Sequence, residues 1–260
     1  MKNTISVLQS GNNGDLIYSL SSAYAAHQLH NKPIDFYVGF NLRNTVPNHP
    51  SGAFCMNDVT YNYLKPLLEY QPWINKVEKH TNQEIDYNFD WFRDIGINLS
   101  SGDIRMWHWA IYPELNNSLT IPPLMTPERH LEYLDDSIII SLSKRYRNNT
   151  INYSILEPIA SKCLFVGLDD EYTQFNQNFM LGIKRLHVKD ALHMSEIISS
   201  CKLFIGNQSS SFSIAEQLKV PRLLEVFNQC PNVIPIGGEG YGYYTTENLK
   251  YYLTKFDLLK

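Results

Sequence analysis

The run from Lys202 to Val226, KLFIGNQSSSFSIAEQLKVPRLLEV, limits the possible folds more than any other stretch of the chain. Leu203 to Ile205 is a short apolar run of the kind that forms a strand buried on both faces. Gly206-Asn207-Gln208 breaks that run, and three serines follow. From Phe212 the apolar spacing changes, and Phe212, Ile214, Ala215 and Leu218 suit a helix. Pro221 stops the helix, and Arg222 to Val226 returns to an extended pattern. A strand, helix and strand in close succession imply a parallel sheet, because parallel neighbours need a crossover. Ser209, Ser210 and Ser211 fall where helix N–H groups lack intrahelical partners. Such an end suits an anion, and it suits a serine acting only as an N-cap equally well.

The same alternation occurs at the start of the chain. Thr4 to Leu8 reads as a strand and Ser10 to Asp15 as a turn. Leu16, Ile17, Leu20, Ala23, Tyr24 and His27 then share one helical face, and Ile34 to Val38 is a second strand. Asn41 to Phe54 reads as a proline-containing loop, Val59 to Tyr70 as a helix and Trp73 to Val77 as a short strand. Ile85 to Arg93 is aromatic and irregular, and Arg105 to Tyr112 is helical and largely buried. A second series begins with the strand Ser137 to Leu142 and the polar turn Ser143 to Asn148. It continues with a helix over Tyr153 to Ser161, a strand over Cys163 to Val166, a short helix from Asp169 to Phe175 and a helix from Ala191 to Ser200. Asn228 to Tyr244 reads as a glycine- and proline-rich loop, and Thr245-Thr246-Glu247 caps a last helix over Asn248 to Phe256. The division expected is a first α/β domain over 1–130, a second over 131–245 and a terminal helix over 246–260.

Composition excludes several classes. A chain of 260 residues with a formal charge of −4 is mildly acidic, which argues against general electrostatic binding to nucleic acid. Cys55, Cys163, Cys201 and Cys230 are far apart with no C-x-x-C, so reduced thiols in a cytoplasmic compartment are the simplest reading. No apolar run reaches the ~18 residues of a membrane span, and the first apolar run is too short for a signal peptide. No feature of the sequence sets an oligomeric state. His27 and His30 share part of a helix face without an H-E-x-x-H, so zinc is a poor reading. Asp169-Asp170-Glu171 fits a helix start better than a metal site.

Three separated motifs then coincide with one family. Gly14 to Leu20, GDLIYSL, resembles the first turn of the heptosyltransferase-like glycosyltransferases. Ser141 to Asn148, SLSKRYRN, resembles their basic turn opening the second domain, and GNQSSSFSIAEQLKVPRLLEV resembles their nucleotide-sugar loop and helix. The resemblance covers nearly the whole chain and implies an α/β, GT-B-like fold: two Rossmann-like domains with parallel sheets facing a central cleft. It also implies inverting, metal-independent transfer of a sugar from a nucleotide-diphosphate donor, a co-substrate rather than a cofactor. The acceptor hydroxyl is then on a surface glycan or on a hydroxymethylated pyrimidine in viral DNA. The chain departs from the heptose-moving pattern at two positions. Gln208 stands where those members carry an aspartate and Ser213 where they carry a histidine, so the donor need not be an ADP-heptose.

The resemblance assigns roles residue by residue. Asp15 matches the base that takes the acceptor proton; its alternative is to cap the helix that follows. Lys144, Arg145 and Arg147, with Arg145 first, and Ser209, Ser210 and Ser211 at the helix start supply charge for the leaving diphosphate. Without a ligand, the same basic run is a solvated turn. Asn207 or Gln208 hydrogen-bonds the nucleoside or sugar. Glu225, at a strand end, binds ribose hydroxyls, as does Glu216 unless it lies on a solvated helix face. Asn13, Gly14, Arg93 and Trp107 are expected near the acceptor; Trp107 is otherwise core, and Arg93, like Asp90 and Asp103, otherwise an ordinary surface charge. Gly237 to Gly242, GGEGYG, reads as a flexible loop that closes on donor or as a plain loop, and it lacks the strand–helix context of a dinucleotide fingerprint. The competing class is a non-catalytic nucleotide-sugar binding or interaction protein on the same fold.

Overall fold

The structure is a computed structural model and describes residues 2–45 and 51–260. Residues 46–50 of the loop expected over Asn41 to Phe54 lie outside the described residues. The first half contains β1 (Ile5–Gln9), α1 (Asn13–His30), β2 (Ile34–Val38), α2 (Asp58–Glu69), β3 (Ile74–Lys79), β4 (Tyr87–Asn88) and α3 (Ile104–Ile111). The second contains β5 (Ile138–Ser141), β6 (Cys163–Phe165), α4 (Asp169–Phe179), β7 (Lys184–Arg185), α5 (Ala191–Ser200), β8 (Leu203–Asn207), α6 (Ser210–Leu218), β9 (Arg222–Glu225), β10 (Gly240–Tyr243) and α7 (Thr246–Lys255).

The strands form two sheets, ordered β3-β2-β1-β4 and β10-β9-β8-β5-β6-β7. All pairs within them are parallel. The chain progresses outward from β1 in one direction and then returns to its other side; the second sheet does the same around β5. Ligands of open parallel sheets bind at such reversals, beyond the carboxyl ends of the strands. The loops after β1 and β4 therefore converge at one reversal, and those after β5 and β8 at the other.

Burial on both faces explains the unbroken apolar runs. In β5, Ile139 joins the core shared with α5 and α6, while Ile138 and Ile140 join a second core under α7 and the 3-10 helix Tyr153–Lys162. β8 alternates in the same way, with Phe204 on one side and Leu203 and Ile205 on the other. The first core continues across both sheets, because α1 packs on α6 and α2 on α5. The connection between the sheets is pinned to this body. Trp73 Nε1 donates to Pro123 O at 3.2 Å, Met125 N donates to Gln71 Oε1 at 2.8 Å, and Leu131 N donates to Ser200 Oγ at 2.9 Å. α7 packs through Leu249 and Leu253 into the second core, so the terminal helix adjoins the second sheet rather than standing apart.

Several elements differ from the sequence reading. α1 begins at Asn13, so Asp15 lies within its first turn rather than ahead of it. Gly206 and Asn207 extend β8 instead of breaking it, pairing with Ser141 of β5 and with β9. The stretch Gly240–Tyr243, read as loop, is an edge strand along β9. The short strands β4 and β7 were not anticipated, since two-residue pairings leave almost no periodic signal. The helix expected near Tyr153 is 3-10, with Pro158 inside it.

Candidate functional site

The turn after β1 is built around one carboxylate. Asp15 reaches back to accept the Asn12 N–H at 3.0 Å, the reciprocal half of a capping box. A methyl on Gly11 would fall inside the Asp15 side chain, so only glycine admits this carboxylate over the turn. The loop after β4 supplies the opposing charge. Arg93 Nη2 is 3.6 Å from Asp15 Oδ2, and its Nη1 donates to Asp90 Oδ1 at 2.6 Å. Asp90 Oδ1 also accepts the Ser10 N–H at 3.0 Å, joining the two loops. Asp15 keeps 30% of its side-chain surface open. Burial of the rest raises its pKa above the ordinary carboxylate value. Arg93, the Asn12 N–H and Arg145 act against that rise, and Asp90 adds to it.

The second reversal faces this turn. Ser209 caps α6, its Oγ accepting from Phe212 N at 3.4 Å. The N–H groups of Ser210 and Ser211 open the helix, where no intrahelical carbonyl reaches them. A methyl on Gly14 would lie 3.9 Å from Ser210 N, so the first turns of α1 and α6 abut. The basic turn after β5 sorts its three cations. Lys144 pairs with Asp170 at 2.6 Å, and Arg147 Nε with Glu225 at 3.0 Å. Arg145 has no carboxylate within ion-pair distance among the described residues; its guanidinium lies over the Tyr146 ring at 5.5 Å, and its charge reaches Asp15 and Cys55. The structure thus brings Asp15, Gly14, Arg93, Arg145 and Ser209 to Ser211 together.

Other expected residues are engaged within the protein. Glu225 is fully buried; one carboxylate oxygen takes Arg147 Nε and, at 2.5 Å, Asn148 N, while the other takes Tyr153 OH at 2.5 Å. Neither oxygen is left for ribose. Gln208 donates to Cys230 O at 2.7 Å and Asn232 Oδ1 at 2.8 Å and accepts from Phe227 N, so it organises the loop after β9. Asn207 is spent on the basic turn itself. Trp107 is core, packed against Phe92. Asn13 Oδ1 and Gln9 Nε2 are buried beside the site with no hydrogen-bond partner among the described residues. His27 Nδ1 donates to Lys32 O, His30 Nε2 shares a hydrogen bond with Tyr87 OH, and no group of three potential metal ligands occurs among the described residues.

Behind the site lies a charge cluster that was missed. Asp103, Arg105, Glu216 and Arg222 are all buried, although Glu216 was expected on a solvated face or at ribose and Asp103 at the surface or the acceptor. Arg105 binds Asp103 through Nε at 2.7 Å and Nη2 at 2.6 Å, Glu216 through Nη1 at 2.5 Å, and Ile234 O at 2.6 Å. Arg222 and Lys219 complete the shell of Glu216, at 2.6 and 2.7 Å. Arg222 also donates to Ile236 O and Gly237 O, so the glycine-rich segment is fastened rather than loose. A methyl on Gly240 would meet the Arg222 guanidinium at 2.6 Å, which explains the small residue there. Burial lowers the Lys219 pKa to about 8, against the pull of Glu216. The sequence signal was present: an arginine at the head of a buried strand, and another inside an aromatic helix, each need a buried anion.

No protein-family model and no curated protein matches the chain. Solved structures do. E. coli ADP-heptose LPS heptosyltransferase II has a TM-score of 0.62 over 97% of this chain and 98% of its own, at 14% identity. E. coli heptosyltransferase WaaC with ADP gives 0.60 over 97% and 99%, at 8% identity. The glycosyl transferase family 9 protein from Veillonella parvula gives 0.57 over 99% and 90%, at 10% identity. The fold is therefore the heptosyltransferase-like, GT-B-like fold that the three ordered motifs imply. No helix among the described residues is long and apolar enough to cross a membrane.

Proposed function

We propose that the chain is an inverting, metal-independent glycosyltransferase that moves a sugar from a nucleotide-diphosphate donor to an acceptor hydroxyl. The observation that carries this reading is the abutment of the first turns of α1 and α6, which sets Asp15 near the α6 N-terminus and within the field of Arg145. Asp15 takes the acceptor proton as the acceptor oxygen bonds to the anomeric carbon; a carboxylate whose pKa is raised by burial suits that task near neutral pH. The bond from the anomeric carbon to phosphate breaks, and the nucleoside diphosphate leaves with the electron pair. Arg145 and the N–H groups of Ser210 and Ser211 face the charge that develops on it. Lys144 and Arg147 hold the turn through Asp170 and Glu225. The likeness to proteins described as ADP-heptose heptosyltransferases supports a nucleotide-sugar donor. The acceptor is a hydroxyl of a surface glycan, a choice that suits a chain of charge −4 better than a hydroxymethylated pyrimidine in DNA, which needs a basic groove.

A thermal-shift panel of nucleoside diphosphates and their sugar conjugates, with and without magnesium, tests the reading. A ligand at about 100 times its dissociation constant adds ~2.7 kcal/mol. Stabilisation by one diphosphate without magnesium is the expected result, and Asp15→Asn keeps that shift while losing turnover. Indifference to every nucleotide would refute the donor site, and full turnover in Asp15→Asn would make another group the base.

A further inference from the structure

Asn207 ends β8 at the reversal of the second sheet and is fully buried. Its carboxamide is enclosed by the turn after β5. Oδ1 accepts from Ser143 N at 2.9 Å and Ser143 Oγ at 3.3 Å. Nδ2 donates to Ser143 O at 3.0 Å and Arg145 O at 2.5 Å, and approaches Tyr146 O at 3.4 Å. One side chain thus holds both ends of a three-residue bend. The bend closes through Tyr146 in the left-handed region at φ 52, which a non-glycine residue rarely adopts unless held there. Its flanking cations are engaged in ion pairs, Lys144 with Asp170 and Arg147 with Glu225. Arg145 has no carboxylate within ion-pair distance among the described residues; its guanidinium lies over the Tyr146 ring at 5.5 Å, and its charge acts on Asp15.

We propose that Asn207 is a positioning residue, whose carboxamide folds residues 143–147 so that Arg145 faces the diphosphate of the donor. It acts through Arg145 and does not touch the nucleoside or sugar. The inference rests on the donor site proposed above. It deepens that reading by assigning phosphate recognition to a side chain that never contacts phosphate. The chemistry requires an amide: the bend presents N–H and O–H donors to one atom and carbonyl acceptors to the other. A carboxylate of the same shape would set an anion against the carbonyls of Ser143, Arg145 and Tyr146.

The test compares Asn207→Asp, Arg145→Gln and the double variant. Hydrogen exchange is read over residues 142–148, and calorimetry uses inorganic pyrophosphate, the stabilising nucleoside diphosphate and its nucleoside. Asn207→Asp is expected to speed exchange in the turn. It should weaken pyrophosphate and diphosphate binding about tenfold or more, the loss of one charge-assisted contact. Nucleoside binding should be unchanged, and in the Arg145→Gln background Asn207→Asp should add less than about twofold. A merely structural role would lower all three affinities together, and direct contact would persist in the Arg145→Gln background; either result overturns the proposal. Unchanged exchange, or faster exchange with unchanged pyrophosphate binding, also overturns it. If Asn207→Asp does not fold, Asn207→Ser releases the same carbonyls with a smaller, neutral side chain and carries the same expectations. A wild-type protein that binds neither pyrophosphate nor any diphosphate refutes the donor site and the phosphate role together. Exchange over 142–148 then still shows separately whether Asn207 holds the turn.

Discussion

Arg105→Met tests how much of the fold depends on the charge cluster behind the site. Methionine preserves much of the apolar stem and removes the guanidinium. The side chain is fully buried and makes four hydrogen bonds, two to Asp103, one to Glu216 and one to Ile234 O. Glu216 retains Arg222 and Lys219, but Asp103 loses the only cation within ion-pair distance of it among the described residues. Removing one partner of a buried pair costs roughly 3–5 kcal/mol. At roughly 2–4 °C per kcal/mol for a chain of this size, the melting temperature should fall by roughly 6–20 °C. Urea unfolding followed by tryptophan fluorescence and circular dichroism gives the free energy. The pH dependence has a definite sign. Burial pushes the Glu216 carboxyl up, but the charges of Arg105, Arg222 and Lys219 outweigh it, and the folded pKa lies below the ordinary value. Its contribution is present above the unfolded pKa, near ~4.3, and is lost as pH falls through the folded value. The variant has less of that contribution to lose, so the gap from wild type should narrow on acidification below about pH 4. A control is Arg129→Met, whose ion pair with Glu196 at 3.2 Å is formed by an arginine 66% exposed. That change should stay within about 1 kcal/mol. A loss below ~1 kcal/mol for Arg105→Met, or a gap independent of pH, would refute the reasoning.

Gly11→Ala places a methyl inside the Asp15 carboxylate. It should cost roughly 1–3 kcal/mol by overpacking and lower turnover by more than it lowers donor affinity, as chemical denaturation and steady-state kinetics would show. Lys219 has a folded pKa of about 8, below the unfolded value, so the folded state opposes its charge. Wild-type stability relative to Lys219→Met should therefore rise between about pH 8 and pH 10, where the unfolded chain binds more protons; a constant difference across that range would contradict the assignment. Glu225→Gln should cost roughly 1–3 kcal/mol, because Arg147 and Asn148 lose a charged acceptor. It should leave the ratio of ribo- to deoxyribonucleotide affinities unchanged, and a change in that ratio would return Glu225 to the ribose site.

Local pattern carried the sequence reading where local interactions decide the structure. α5 occupies the span expected for it because Asp190 caps it and Ala191, Met194, Ile197 and Ile198 repeat on one face. The helix starts that carry Asp15 and Ser209 to Ser211 were recognisable because each follows a strand through a short polar turn. The roles of Asn207, Gln208 and Glu225 were not, because an amide or carboxylate at a strand end is claimed by whichever strand lies beside it. Asn207 is held by residues 61 to 64 positions away, through the adjacency of β5 and β8. The cluster of Arg105 and Glu216 spans 111 positions, and neither residue has a neighbour in sequence that announces the pairing. β10 was hidden for a related reason. Gly240 and Gly242 weaken any strand propensity, and the strand forms because Gly240 fits over Arg222 and the backbone pairs with β9.

These long-range pairings decide how the two sheets face each other. Gln217 on α6 donates to Ile17 O at 2.8 Å and Tyr18 O at 3.2 Å, and it meets Ser21 on α1. Arg105 of α3 meets Glu216 one position earlier on the same helix. Sliding α6 along α1 would strip the buried Gln217 amide and the buried Glu216 carboxylate of partners, leaving polar groups unsatisfied in the core. The apolar contacts around these groups favour closeness without fixing register, whereas the polar ones are satisfied in one register only. The positions of Asp15 and of the α6 N-terminus follow from that register, since each lies in the first turn of its helix, just ahead of the polar lock. On the proposed reading, the separation of the Asp15 carboxylate from the α6 N-terminus is thus set by residues outside the catalytic turn.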